Sequence, residues 1–259
     1  MDTGTSLLLL AAGGAGGIIN ALAGGATLIT FPAMLAAGLP AVIANASNAV
    51  AISPGHLIAA LADRGKLPPP TRRTISFVAA STLGGAAGAD VLLLLPERLF
   101  VLPVPALIAF ATLLFAFAPQ IQASQIQAWT VGHQKAAALP STGASSAVLG
   151  LACVYGGFFG AGLGVILTAV LSITEPNDIR AVKALKNLLA TCVSLAVTLI
   201  FIVQGAVRWP ETSVMLLGAM IGGYTGGHLI RILPGRIVRQ FVIAAGALMT
   251  VIYAARYWF

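Results

Sequence analysis

The chain has 259 residues, of which 58% are hydrophobic and only 8% charged, with a formal charge of +7 and a mean hydropathy of +0.97. A soluble domain carries about 25% charged residues, so this chain lacks the polar groups to cover a water-facing surface, and lipid is its solvent. Its cations stand in short groups at the ends of apolar segments, the pattern of membrane topology signals and not of a nucleic-acid surface.

In chain order, the opening MDTGTS has no Lys or Arg ahead of its apolar stretch, which argues against a cleaved secretory signal. Apolar segments follow at about 5–38, 41–61, 74–95 and 99–118, then at about 142–173, 181–204, 209–232 and 237–256. They are too long and too continuously apolar for barrel strands, so helices are expected. The Gln-rich, proline-bounded stretch 119–140 reads as a linker between a first membrane repeat, 1–118, and a second, 141–259.

The two halves carry matching text. GGAAGADVLLLLPER at 84–98 and GGYTGGHLIRILPGR at 222–236 align at an offset of 138, and the same offset places Ala23, Gly24 and Thr30 on Ala161, Gly162 and Thr168. Duplicated apolar halves with interruptions in matching places point to a transporter. The first segment of each half exceeds 30 residues. A straight helix of that length would measure about 45–50 Å against a hydrocarbon core of roughly 30 Å. Glycines divide it, at Gly24 and Gly25 in one half and at Gly160, Gly162 and Gly164 in the other, so both segments should be broken. Gly84xxxGly88, Gly222xxxGly226 and Gly13xxxGly17 fit close helix packing.

Charge sets the expected topology. Arg64, Lys66, Arg72 and Arg73 follow the second segment of the first half, where the second half has Arg208 and Glu211. Arg231, Arg236 and Arg239 follow the third segment of the second half, where the first has Glu97 and Arg98. Positive connections stay cytoplasmic, so the halves should be inserted in opposite orientations. The expectation is an all-α integral membrane protein of two inverted-topology repeats, each a re-entrant Gly-rich hairpin plus three spanning helices. Eight simple spans in parallel repeats is the alternative.

Broken helices leave backbone N–H groups bare, and a helix N-terminus favours an anion. The expected substrate cradle therefore includes Gly24, Gly25 and Thr27 in the first half and Gly162 and Gly164 in the second. The next segments add Asn45, Ser47 and Asn48, and then Lys183, Lys186 and Asn187. With one extra residue in the turn Asn48 falls on Asn187. The two lysines share a helix face three residues apart, and an ammonium inside a bilayer faces a cavity or snorkels to the interface. A cationic, amide-lined cavity suits a small oxyanion. His56, Asp90 and His228 are candidates for proton coupling. Apart from Asp90, the carboxylates fall near predicted segment ends, and no cluster suits a cation, so no metal and no cofactor are expected. Cys153 and Cys192 read as packing residues. Scattered histidines and separated cysteines give no nucleophile–base pair, so no enzyme is expected.

These stretches resemble a known family. GGIINALAGGATLITFPAMLAAGLP with ANASNAVAISPG is similar to the first half of the TauE/SafE sulfite exporters, also called the toluene sulfonate uptake permease family. YGGFFGAGLGVILTAVLSI, VKALKNLLA and the GGYTGGHLIRILPGR block are similar to the second half. The resemblance covers essentially the whole chain. It implies a multi-pass protein of the bacterial inner membrane that moves sulfite, a sulfonate or another small organosulfur or organic anion. The chain departs from the pattern in having only Gly24-Gly25-Ala26 where relatives carry a longer glycine run, and no lysine in the first half matches Lys186. The resulting expectation is a proton-coupled secondary transporter with alternating access between repeats. A passive anion channel or a structural membrane subunit is the alternative, and a homo-oligomer is compatible with either.

Overall fold

A computed structural model of the chain describes residues 1–22, 25–132, 142–174, 179–229 and 235–259. The described residues form helices and turns. The first half contains α1 (Thr3–Leu22), α2 (Thr27–Ala36), α3 (Ala41–Asp63), α4 (Arg72–Leu94), α5 (Glu97–Val101) and α6 (Val104–Gly132). The second contains α7 (Thr142–Phe158), α8 (Leu163–Thr174), α9 (Ile179–Val203), α10 (Trp209–Leu229) and α11 (Gly235–Tyr257). A short 3-10 turn, Arg64–Lys66, follows α3.

Both long opening segments are interrupted. The first stops at Leu22 and resumes at Thr27; Gly24 lies outside the described residues, while Gly25 is in the break. The second stops at Phe158 and resumes at Leu163. There Gly160 and Gly162 take φ of +78° and +81°, in the left-handed region that only glycine enters without steric penalty. Each resumed helix repeats one detail. The Thr30 hydroxyl donates to Ala26 O at 2.9 Å, and the Thr168 hydroxyl, 138 residues on, donates to Gly164 O at 2.7 Å.

The fourth expected segment differs from the prediction. Pro103 interrupts it, so α5, capped by Pro96, precedes α6 as a separate short helix, and α6 continues past Pro119 to Gly132. Ala and Gln are good helix formers, which is why the stretch expected as a linker begins helical.

The packing is fixed by glycines. On α4, a Cβ at Gly84 would sit 2.4 Å from Gly150 O, and one at Gly88 2.1 Å from Val154 O, both on α7. On α1, a Cβ at Gly13 would lie 2.3 Å from Met215 O, and one at Gly17 2.3 Å from Ala219 O, both on α10. These are small-xxx-small positions, and backbone meets backbone there. Residue numbers rise together along α1 and α10 and along α4 and α7, so each pair runs parallel. The equivalent helices α3 and α9 run antiparallel: His56 meets Thr191, and Asp63 meets Asn187. The same holds for α6 and α11, where Gly246 rests on Thr112 and the Trp258 indole donates to Leu102 O at 2.8 Å. Interchanging the halves maps the α1–α10 contact onto α7–α4 and the α2–α11 contact onto α8–α6.

Among the described residues, four helices carry stretches long and apolar enough to cross a bilayer: Thr3–Asn20, Arg72–Leu94, Arg180–Val203 and Arg236–Tyr257. Leu83, Leu94, Leu151, Leu199 and Val203 project outward, as lipid-facing side chains must. The buried set is centred on Phe31, Phe77, Phe100, Phe115 and Phe201. Both cysteines are free thiols, Cys153 fully buried.

Candidate functional site

One polar cluster forms where the end of α3 crosses the start of α9. Lys183, Lys186 and Asn187 stand at i, i+3 and i+4 on α9 and so share a face. Asn187 is buried, and its Nδ2 donates to Asp63 Oδ2 at 2.9 Å and reaches Ala59 O at 3.5 Å. Lys183, its side chain 64% exposed, lies 3.7 Å from the same carboxylate oxygen, and Lys66 donates to Asp63 Oδ1 at 3.0 Å. Lys186 lies one turn deeper than Lys183 along α9 and is half-buried. The Thr191 hydroxyl, one turn beyond Asn187, lies 2.8 Å from both Asn187 O and His56 O and shares its one proton between them. The first break approaches this region, because α3 Gly55 packs against the Asn20 side chain near the end of α1. Lys183 and Asn187 are therefore gathered on Asp63, with Lys186 beside Asn187 on the same helix and the His56 backbone one turn farther along at Thr191.

The other predicted polar residues of α3 lie toward its start, facing the second break. Asn45 Nδ2 donates to Phe158 O, the terminal carbonyl of α7, at 2.9 Å. The Tyr155 hydroxyl donates to Ala161 O inside the break at 2.7 Å. Ser47 Oγ accepts from Arg208 N at 3.0 Å, tying α3 to the connection between α9 and α10. These groups satisfy carbonyls and N–H groups that the breaks and turns would leave bare. Asn48 is 1% exposed, and its Oδ1 has no donor among the described residues. Such an atom costs about 1–3 kcal/mol if it stays unpaired.

Both breaks converge on the middle of α6. Gly25 packs against the Phe115 ring, and Gly162 against Leu114 and Ala111. Between them Phe31 of α2 meets Phe159 edge-on, with ring centroids 5.4 Å apart. Thr27, at the start of α2, is buried. At the start of α8, Leu163 N–H and Val165 N–H bond back to Gly160 O and Gly162 O, while no backbone carbonyl among the described residues accepts from Gly164 N–H. The space beside Gly164 is open to 4 Å. A cavity of about 290 Å³ lies elsewhere, at the turn before α3, lined by Gly38, Pro40, Arg208 and Glu211.

Two proton-coupling candidates stand apart from the cluster or beyond description. Asp90 is exposed near the end of α4, and the side chain of His228 lies outside the described residues. Sequence reasoning missed three groups. Asp63 was placed with the other carboxylates at segment ends; its pairing with Lys66 at i+3 was legible, but the partnership with Asn187 spans 124 positions. The Glu97 carboxylate accepts from the N–H groups of Ala41 and Val42, capping the start of α3 from 55 residues away. Tyr155 gave no signal, since its acceptor is created by the break.

The sequence profile described as sulfite exporter TauE/SafE matches residues 9–253. The chain belongs to the TauE/SafE sulfite exporter family. Relatives agree along most of their length. A protein of Haemophilus influenzae named a probable membrane transporter is 28% identical over 253 residues, covering 96% of this chain and 95% of that one. The probable membrane transporter YfcA of Escherichia coli K12 is 26% identical over 236 residues, covering 90% of this chain and 84% of that one. No solved structure matches significantly. This is a membrane transporter family, and the apolar helices with the outward leucines fit a multi-pass member of it.

Proposed function

We propose that the chain is a secondary transporter of a small oxyanion, with sulfite and sulfonates the leading substrates, working in the bacterial inner membrane by alternating access between two inverted halves. Family membership supports the substrate class. The antiparallel crossing of the equivalent helices α3 and α9 supports inversion. Inverted halves would also bring the Arg64–Arg73 and Arg231–Arg239 connections to one face, where positive charge belongs.

The observation that carries the anion reading is Lys186, about two turns inside the apolar helix α9 and next to Asn187. An ammonium so far from a helix end is tolerated where it meets a polar solute or partner. Asn48, Thr27 and the N–H groups at the start of α8 would complete the path, and the Phe31, Phe115 and Phe159 rings between the breaks are the groups that must move. Coupling to protons is assigned to His56, the titratable candidate on the stretch of α3 that packs against α9 at Thr191.

The test is sulfite uptake into proteoliposomes. A charge-assisted hydrogen bond contributes about 1.5–3 kcal/mol, so Lys186→Ala should lower uptake by about tenfold or more while the protein still inserts. Unchanged uptake would remove Lys186 from the path. Flux that neither saturates nor responds to a pH gradient would make the protein a channel.

A further inference from the structure

The strongest unassigned feature is the carboxylate lodged among the lysines. Asp63 is 8% exposed. Its Oδ1 takes a hydrogen bond from Lys66, and its Oδ2 takes one from Asn187 and lies near Lys183. Two ammonium groups and an amide N–H converging on a planar pair of oxygens is the arrangement that a free oxyanion would need. A lone carboxylate on the tip of α3 already fills it.

We infer that Asp63 is a tethered stand-in for the transported anion: its carboxylate competes with the substrate for Lys183 and Asn187 and must be displaced for the anion to enter. The inference rests on the anion site proposed above and adds a specific competitor to it. The chemistry is a simple exchange. While Asp63 holds the cradle, α3 and α9 are bound together at this end. When an oxyanion takes over the Asn187 N–H and the Lys183 charge, Asp63 keeps only Lys66 on the turn that follows it, and the crossing loses its tie at this end, leaving the Thr191–His56 contact farther along. Substrate entry and loosening of the α3–α9 contact are thereby the same event. A carboxylate serving only to cap the helix would make no such link between occupancy and opening.

Among the described residues the charged groups paired with Asp63 are Lys66 on its own turn and Lys183 on α9, with Lys186 one turn farther along α9. Neutralising Asp63 leaves these cations without their resident anion. The affinity of an external anion should therefore rise, by about tenfold for sites coupled through shared partners.

The experiment is calorimetric titration of the purified full chain at one pH with sodium sulfite and, separately, sodium methanesulfonate, for wild type, Asp63→Asn and Lys186→Ala. The expected result is tighter binding to Asp63→Asn and weaker binding to Lys186→Ala. Binding to Asp63→Asn that is unchanged or weaker, with Lys186→Ala still impaired, overturns the competitor role and leaves the anion site standing. Lys186→Ala that binds as wild type, or no binding to any form, overturns the site and the competitor together. Asp63→Ser serves as a second neutral variant. If neither neutral form is monodisperse, the carboxylate is structural and the inference fails.

Discussion

Replacing Gly88 by valine is expected to prevent the chain from folding into a monodisperse protein. A Cβ there would stand 2.1 Å from Val154 O, 2.7 Å from Phe158 N and 3.0 Å from Gly157 C. All three obstacles are backbone, so no side chain can swing aside. Overpacking a core that can adjust costs about 1–3 kcal/mol; here α4 and α7 would have to separate along their whole contact, and the penalty lies at or beyond the upper end. The sharper form of the prediction uses two neighbours. Gly222 and Gly223 look interchangeable in the repeat, where they answer to Gly84 and Gly85. Yet a Cβ at Gly222 would lie 2.0 Å from Gly14 O, whereas one at Gly223 would meet nothing within 4 Å. Gly222→Ala should therefore lower the thermal midpoint and the monodisperse fraction. Gly223→Ala should leave both unchanged or raise them slightly, since alanine is favoured over glycine in a helix by about 1 kcal/mol. Equal behaviour of the two variants would mean that α1 and α10 do not meet as described.

That contrast marks how far the sequence could be read. The repeat, the break in each opening segment and the glycine positions were legible because each is a local pattern: an offset, a length in excess of a bilayer, a spacing of four. The direction of α3 against α9 was foreshadowed only by unequal loop charge. Which glycine of a pair faces a partner depends on rotation about the helix axis, and in a chain that is apolar on every side, hydrophobic periodicity does not fix that rotation. The polar residues divide the same way. Lys183, Lys186 and Asn187 announced themselves by standing inside an apolar helix, and they do gather at one crossing. Asn45 and Ser47 announced themselves equally, but they are engaged with Phe158 O and Arg208 N, main-chain groups whose exposure follows from turns that only the folded chain displays. Asp63 and Glu97 read only as carboxylates near segment ends, which is ordinary. Their importance lies in partners 124 and 55 positions away in sequence.

Gly162 and Gly164 are expected to separate stability from transport. Gly162 has φ of +81°, and a Cβ on it would lie 3.2 Å from Leu114 Cδ1. A non-glycine residue held in the left-handed region costs about 1–2 kcal/mol, so Gly162→Ala should lower the thermal midpoint and depress uptake through a damaged break. Gly164 carries neither demand. Its φ is not positive, a Cβ would meet nothing within 4 Å, and it sits in the first turn of α8, where alanine would strengthen the helix. No packing reason requires glycine there. A close approach by a solute to the Gly164 N–H would require it, because an added methyl would stand in the way of an anion reaching the helix N-terminus. Gly164→Ala should therefore keep or raise the thermal midpoint of the purified protein while slowing sulfite uptake several-fold in the same preparation. If it is as stable as wild type and transports as fast, the anion does not pass the second break. The path would then run along the lysine-bearing end of α9 alone.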